Sequence, residues 1–211
     1  MRRRDPEYER NVFINCPFDD AYTPIFEAIV ITIQACGFRA MCARSRLNSG
    51  EVRIHKIIDM IADCRYSIHD LSRTELDQTN ALPRFNMPLE LGIDVGCRAY
   101  GRDQKRKTFL VFDRDRFRFQ KYVSDIAGQD IANHGDDPEL AIARVRDWLR
   151  GESKRTDIPG AKAMRSKYSN FRNALPSICD RFDLDMLALT LADLLSAVDM
   201  WLTPPDASQY R

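Results

Sequence analysis

No apolar run in the 211-residue chain approaches the ~20 residues needed to cross a bilayer, and the start, Met1 to Pro6, carries no apolar segment of the secretory-leader kind. A cytoplasmic protein without membrane contact is therefore expected. Neither sign of charge dominates: Lys and Arg number 32 against 31 Asp and Glu, so bulk charge offers a nucleic acid no general hold, and nucleic acid is not an expected partner. The six cysteines (Cys16, Cys36, Cys42, Cys64, Cys97, Cys179) form no C-x-x-C pair and read as reduced, buried small hydrophobes. The three histidines (His55, His69, His134) have no spaced ligand partners, so no metal is expected and they read as structural or surface residues. A Gly-rich phosphate loop of the Walker or Rossmann kind is missing too, and no cofactor is expected. There is no internal repeat and no low-complexity tail.

What the chain does contain is an alternation of short apolar runs with segments of helical period. Asn11 to Cys16 reads as a buried, central strand ending at Pro17. Ile25, Ala28, Ile29, Ile33 and Ala35 then give a helix over about residues 20 to 36, closed by Gly37. Phe38 to Ala43 is a second strand, Arg44 to Gly50 a polar loop, and Glu51 to Ala62 a second helix. Tyr66 to Leu71 and Lys107 to Asp113 are the third and fourth strands, with the carboxylates Asp70 and Asp113 near their ends. Between them, Ser72 to Arg84 is a turn-rich loop leading to a third helix. Ser124 to Ile131 reads as a loop with a short edge strand, and Asp137-Pro138 caps a helix ending at Gly151. The basic and aromatic stretch from Arg114 to Tyr122 reads as a solvated loop anchored by its aromatics.

Such alternation implies right-handed parallel βαβ units, and hence an α/β, flavodoxin-like sheet of about five strands with helices on both faces, over residues 10–151. The polar segment Glu152 to Gly160 marks the boundary of a helical appendage over 160–203, read as helices at about 161–179 and 184–202. The second carries Leu184, Leu187, Leu191, Leu194, Leu195 and Val198 as an apolar stripe, suited either to the sheet domain or to a second copy of the chain; a homo-oligomer through these helices is expected. Trp148 and Trp201 read as core or interface anchors.

The stretch Phe85-Asn-Met-Pro-Leu-Glu-Leu-Gly-Ile-Asp-Val-Gly96 organises the functional reading. Pro88 suits a first helical turn, so a helix starting at Asn86 or Met87 would set Glu90 in that turn, with its ionised form favoured by the helix dipole. Leu89, Ile93 and Gly96 would form the inward face, leaving Glu90 at a cleft edge. Open parallel sheets bind ligands beyond the carboxyl ends of their strands, which brings Asn15 to Asp19, Asp70 to Ser72 and the Glu90 helix to one edge. Fixed carboxylates there suit cleavage of an N-glycosidic bond through an oxocarbenium-like transition state. A pyridinium leaving group departs without help; a purine also needs an acid, for which Asp70 is a candidate.

The segments Asn-Val-Phe-Ile-Asn-Cys-Pro-Phe-Asp-Asp, Ile-Ala-Asp-Cys-Arg-Tyr-Ser-Ile-His-Asp-Leu-Ser and Asn-Met-Pro-Leu-Glu-Leu-Gly, within about residues 11–113, resemble the bacterial TIR-like and nucleoside 2-deoxyribosyltransferase-like superfamily. The resemblance implies a flavodoxin-like sheet that cleaves NAD or transfers deoxyribose between bases, often in anti-phage defence. It implies a catalytic Glu90 assisted by Asp70, and substrate contacts from Asn15, Cys16, Pro17, Phe18, Ser72, Asn86 and Met87. The rival expectation is a non-catalytic nucleotide-sensing or protein-interaction module. A magnesium-dependent receiver domain using Asp19, Asp20 and Asp70 would have Asp113 where it needs a hydroxyl residue.

Overall fold

A computed structural model describes residues 5–43, 50, 52–75, 83–126, 131–186 and 188–203. Most of the Arg44 to Gly50 loop, the middle of Ser72 to Arg84, residues 127–130 and Leu187 lie outside the described residues.

Five parallel strands, β1 (Asn11–Asn15), β2 (Arg39–Cys42), β3 (Tyr66–Asp70), β4 (Thr108–Asp113) and β5 (Ala132–Asn133), lie in the order β2-β1-β3-β4-β5. This is the flavodoxin-like order; β3 is the central strand, and β1, expected there, lies one place off centre between β2 and β3. All five β1 residues are buried, as an apolar run covered on both faces requires. Alternate residues serve opposite faces. Val12 and Ile14 join Tyr66, Ile68, Leu110 and Phe112 in the larger core, while Phe13 packs in a smaller cluster with Met41, Ile57, Met60 and Ile61.

On the larger face lie α1 (Thr23–Ala35) and α4 (Pro138–Ser153), and outside them α5 (Ala161–Arg181) and α6 (Leu191–Leu202). The other face carries α2 (Arg53–Ala62) and α3 (Asn86–Tyr100). Asp137 caps α4 by accepting from the Glu139 N–H. Gly37, at φ +79°, makes the turn from α1 into β2 in a conformation that costs other residues strain.

The C-terminal helices pack on the body. Phe171, Leu175, Leu194, Ala197 and Val198 belong to the same buried core as α1 and α4, with Trp148 and Trp201 against it. Arg172 pairs with Glu27, and the Tyr168 hydroxyl donates to the Pro24 carbonyl. The α6 stripe is thus covered within the chain, and α6 begins at Leu191 rather than near 184. Thr190 and Asp193 form a reciprocal capping box that fixes this start.

Two other boundaries differ from expectation. The edge strand is Ala132–Asn133, just past the segment read for it, because only these two residues pair, with Phe112 and Asp113. The region 20–36 is split into a 3-10 turn (Asp20–Tyr22) and α1, since Asp19 caps the turn through the Tyr22 N–H and Pro24 restarts the helix. No helix among the described residues is long and apolar enough to cross a membrane.

Candidate active site at the β1/β3 strand ends

In the order 2-1-3-4-5 the connections leave β1 and β3 in opposite directions, which opens a crevice beyond their carboxyl ends. Glu90 lies beside it, and the structure corrects three expectations about that residue. Helix α3 starts at Asn86, so Glu90 is the fifth helical residue, past the first turn. The inward face is Met87, Glu90, Leu91 and Asp94, whereas Leu89 is 56% exposed. Glu90 itself is 7% exposed: it is buried at the crevice and does not sit on its rim.

Its ionisation follows from that burial. Among the described residues no donor hydrogen-bonds the Glu90 carboxyl. Desolvation pushes its pKa up from 4.5 to about 7, against a smaller opposing pull from the Arg53 guanidinium at the start of α2. The dipole effect expected from sequence is overridden, because it fades beyond the first turn.

A fully buried polar chain fixes α3 on the strand ends. Asn15 Nδ2 donates to the Met87 carbonyl at 2.9 Å and to His69 Nδ1 at 3.0 Å. With Nδ1 accepting, the His69 proton sits on Nε2, 3.0 Å from Asp94 Oδ2. Lys107 Nζ stands 3.1 Å from Asp94 Oδ1 and donates to the Ile61 carbonyl at 2.8 Å. Burial alone would raise the Asp94 pKa, but His69 and Lys107 beside it hold it below the usual carboxylate value. Asn15, Met87 and Asp94 therefore orient the helix that carries Glu90. Asn15 and Met87, expected as substrate contacts, are braces.

Asp70 is also fully committed, on the opposite face of β3. The Tyr22 hydroxyl donates to Oδ2 at 2.5 Å, the Ser72 N–H donates to Oδ1 at 2.8 Å, and His134 Nε2 lies 3.1 Å from Oδ2. The Asp136 N–H donates to His134 Nδ1, which leaves the ring proton on the Nε2 that faces Asp70. Burial would raise the Asp70 pKa, yet His134, the Ser72 N–H and the Tyr22 hydroxyl bring it below 3.8. Asp70 is consequently a poor general acid, and the expectation of that role is corrected.

Cys16 joins the two sides. Its thiol is 2% exposed and stays protonated, because burial and then the charges of Cys42, Asp70, Glu90 and Asp19 push its pKa well up. Ser72 is fully buried, with an Oγ that meets no partner among the described residues. Asn86 is exposed at the first position of α3. Pro17 and Phe18 turn away toward α1, where they line a cavity of about 460 Å³ against α6. The structure thus gathers Cys16 and Glu90 at the crevice, with Asn15 and Met87 bracing its wall, and sets Asp70, Ser72, Pro17 and Phe18 behind or beside it.

Arg53, Tyr22, Asp94 and His134 are participants that the sequence reading did not assign. The one local signal, for Asp94 alone, was its place four residues after Glu90 and three after Leu91, on the helix face that also carries Met87. No family model, curated protein or solved structure matches the chain. Its function is accordingly argued from this crevice.

Proposed function

We propose that the chain cleaves the N-glycosidic bond of NAD or a related nucleotide or nucleoside, with Glu90 as the group that meets the anomeric carbon. The observation that supports this reading is a buried carboxyl without a hydrogen-bond donor among the described residues, set beside the β1/β3 switch point, while Asp70 and Asp94 around it are paired. A carboxylate free of donors gains most from a cation forming beside it, and an oxocarbenium ion supplies one. Water or a second base would complete a hydrolase or a transferase cycle. The sequence resemblance to TIR-like and deoxyribosyltransferase-like enzymes supports the same reading, and a place in anti-phage defence is part of the proposal. Cytoplasmic placement belongs to the proposal and accords with six cysteines that form no disulfide.

With a pKa of about 7, Glu90 has both protonation states at hand near neutrality, and the leaving group decides which one works. For NAD the working form is the carboxylate, so kcat/KM rises with pH and levels off above about 7. For a neutral purine or pyrimidine nucleoside the working form is the acid, so kcat/KM falls as pH rises through about 7. In that case the Glu90 proton passes to the departing base, and the carboxylate it leaves behind faces the forming cation.

The test is incubation of the purified protein, at low and high concentration, with NAD and a panel of nucleosides and nucleotides, with released bases resolved by chromatography. Base release by the wild type, reduced at least ~100-fold in Glu90→Gln, is the expected result, since one preorganised electrostatic contact is worth about 3 kcal/mol of barrier. Undiminished release by the variant would remove the mechanism. Tight nucleotide binding without release at any concentration would replace it with the sensing module. The homo-oligomer through the C-terminal helices is part of the same proposal, by their outer faces since the α6 stripe is covered, and sedimentation at the two concentrations tests it.

A further inference from the structure

The cavity on the α1 side of the β1 turn is walled on one side by Pro17, Phe18, Asp19, Asp20 and Phe26, and on the other by Met186, Leu189, Thr190, Leu191 and Leu194 from the segment entering α6. Its volume of about 460 Å³ falls within the range of small-molecule sites. Phe18 and Phe26 meet edge to face, 5.9 Å between centroids, and give one wall an aromatic surface; the α6 side is aliphatic. Among the described residues no lysine or arginine lines it. Asp19 is occupied by Arg73 and Arg84, and Glu27, at the cavity's back, by Arg172. Asp20 is the lining carboxylate without an ion-pair partner among the described residues.

From this lining we infer a second binding site, which takes a flat ring bearing N–H or O–H donors, neutral or singly cationic, and free of phosphate. The ring lies between the Phe18–Phe26 wall and the leucines of the α6 segment, and its donors reach the Asp20 carboxylate and the Thr23 hydroxyl. Phosphate is disfavoured, because Arg73, Arg84 and Arg172 are already paired with Asp19 and Glu27, and the unpaired Asp20 carboxylate would face its charge. A nucleoside or free base and a simple aromatic amine share this chemistry. The inference is independent of the Glu90 reaction: the cavity lies on the face of the sheet away from α3, and its second wall, Ala192 included, comes from the start of α6 and the segment entering it.

Binding by the full chain is measured by calorimetry with adenosine, tryptamine and AMP. Adenosine or tryptamine binds, adenosine identifying a nucleoside site and tryptamine alone an amine site, while AMP binds about tenfold more weakly than adenosine through charge repulsion. Asp20→Asn, at an exposed position that leaves the fold alone, weakens tryptamine about fivefold, as loss of one close charge pair near the surface would. Ala192→Trp, which fills the cavity, abolishes binding. Glu90→Gln leaves it unchanged, so this inference and the proposed reaction fail separately. Absence of binding by both ring compounds, AMP binding as tightly as adenosine, or full binding by folded Ala192→Trp would overturn it.

Discussion

Glu90 and Asp70 are both buried carboxylates near the same edge of the same sheet, yet one is solvated by the protein and the other is not. Asp70, at the end of β3, accepts from Tyr22 and Ser72 with His134 beside it, and its pKa lies below 3.8; Glu90, on α3, meets no donor among the described residues and is raised to about 7. Burial acts on both in the same direction, so the difference comes from the donors supplied. A fold gains stability by satisfying a buried carboxylate and loses it by leaving one bare. The bare one is therefore the group whose placement stability does not explain, and it faces the crevice where ligands bind to such sheets.

Breaking the satisfied set gives the largest expected effect. Asp94→Ala strips Lys107 of its buried counter-charge and His69 of its acceptor, and should cost about 3–5 kcal/mol in denaturant unfolding. Glu90→Gln should act in the opposite direction. A rise from 4.5 to about 7 means that the folded chain binds the extra proton between those values, so wild-type stability falls as pH rises through that window. The variant lacks this slope: it should gain about 3 kcal/mol above pH 7 and nothing below pH 4.5, as unfolding at the two pH values would show.

Asp70→Asn comes next, with an expected loss of about 2 kcal/mol, because an amide accepts less strongly from Tyr22 and Ser72 and meets His134 without charge. The sign of its pH dependence is the reverse of Glu90's: a depressed carboxylate stabilises above pH 3.8, and that contribution disappears as pH falls through the folded-state value. Acid unfolding of wild type and variant should therefore converge at low pH. The smallest effect is expected from Asn15→Ala, about 1 kcal/mol, together with a fall in the Glu90 midpoint as the freed α3 turn admits water.

How far this contrast was legible in the sequence depended on the range of the interactions. The buried run Asn11 to Asn15, the helix start signalled by Pro88, and the cap at Asp137-Pro138 are local signals, and the corresponding elements form where they indicate. Thr190 and Asp193 were an equally local signal for the start of α6, overlooked because the leucine spacing continued upstream. The inward face of α3 was misread because apolar periodicity favours Leu89 and Ile93, whereas Asp94 turns inward to partners on β3 and just before β4. His134 reaches Asp70 from the far side of β4, a pairing that no spacing rule announces. Position thus singled out Glu90, but its charge state depended on burial and on the absence of donors among the described residues, which only the assembled structure displays.

The most direct test of this account is a carbon-13 NMR titration of the Glu90 carboxyl, assigned by comparison with Glu90→Gln. A midpoint near 7 is the predicted result. A midpoint near the ordinary glutamate value of 4.5 would mean that the carboxyl is solvated or paired after all, and would contradict the claim that it is held bare for chemistry.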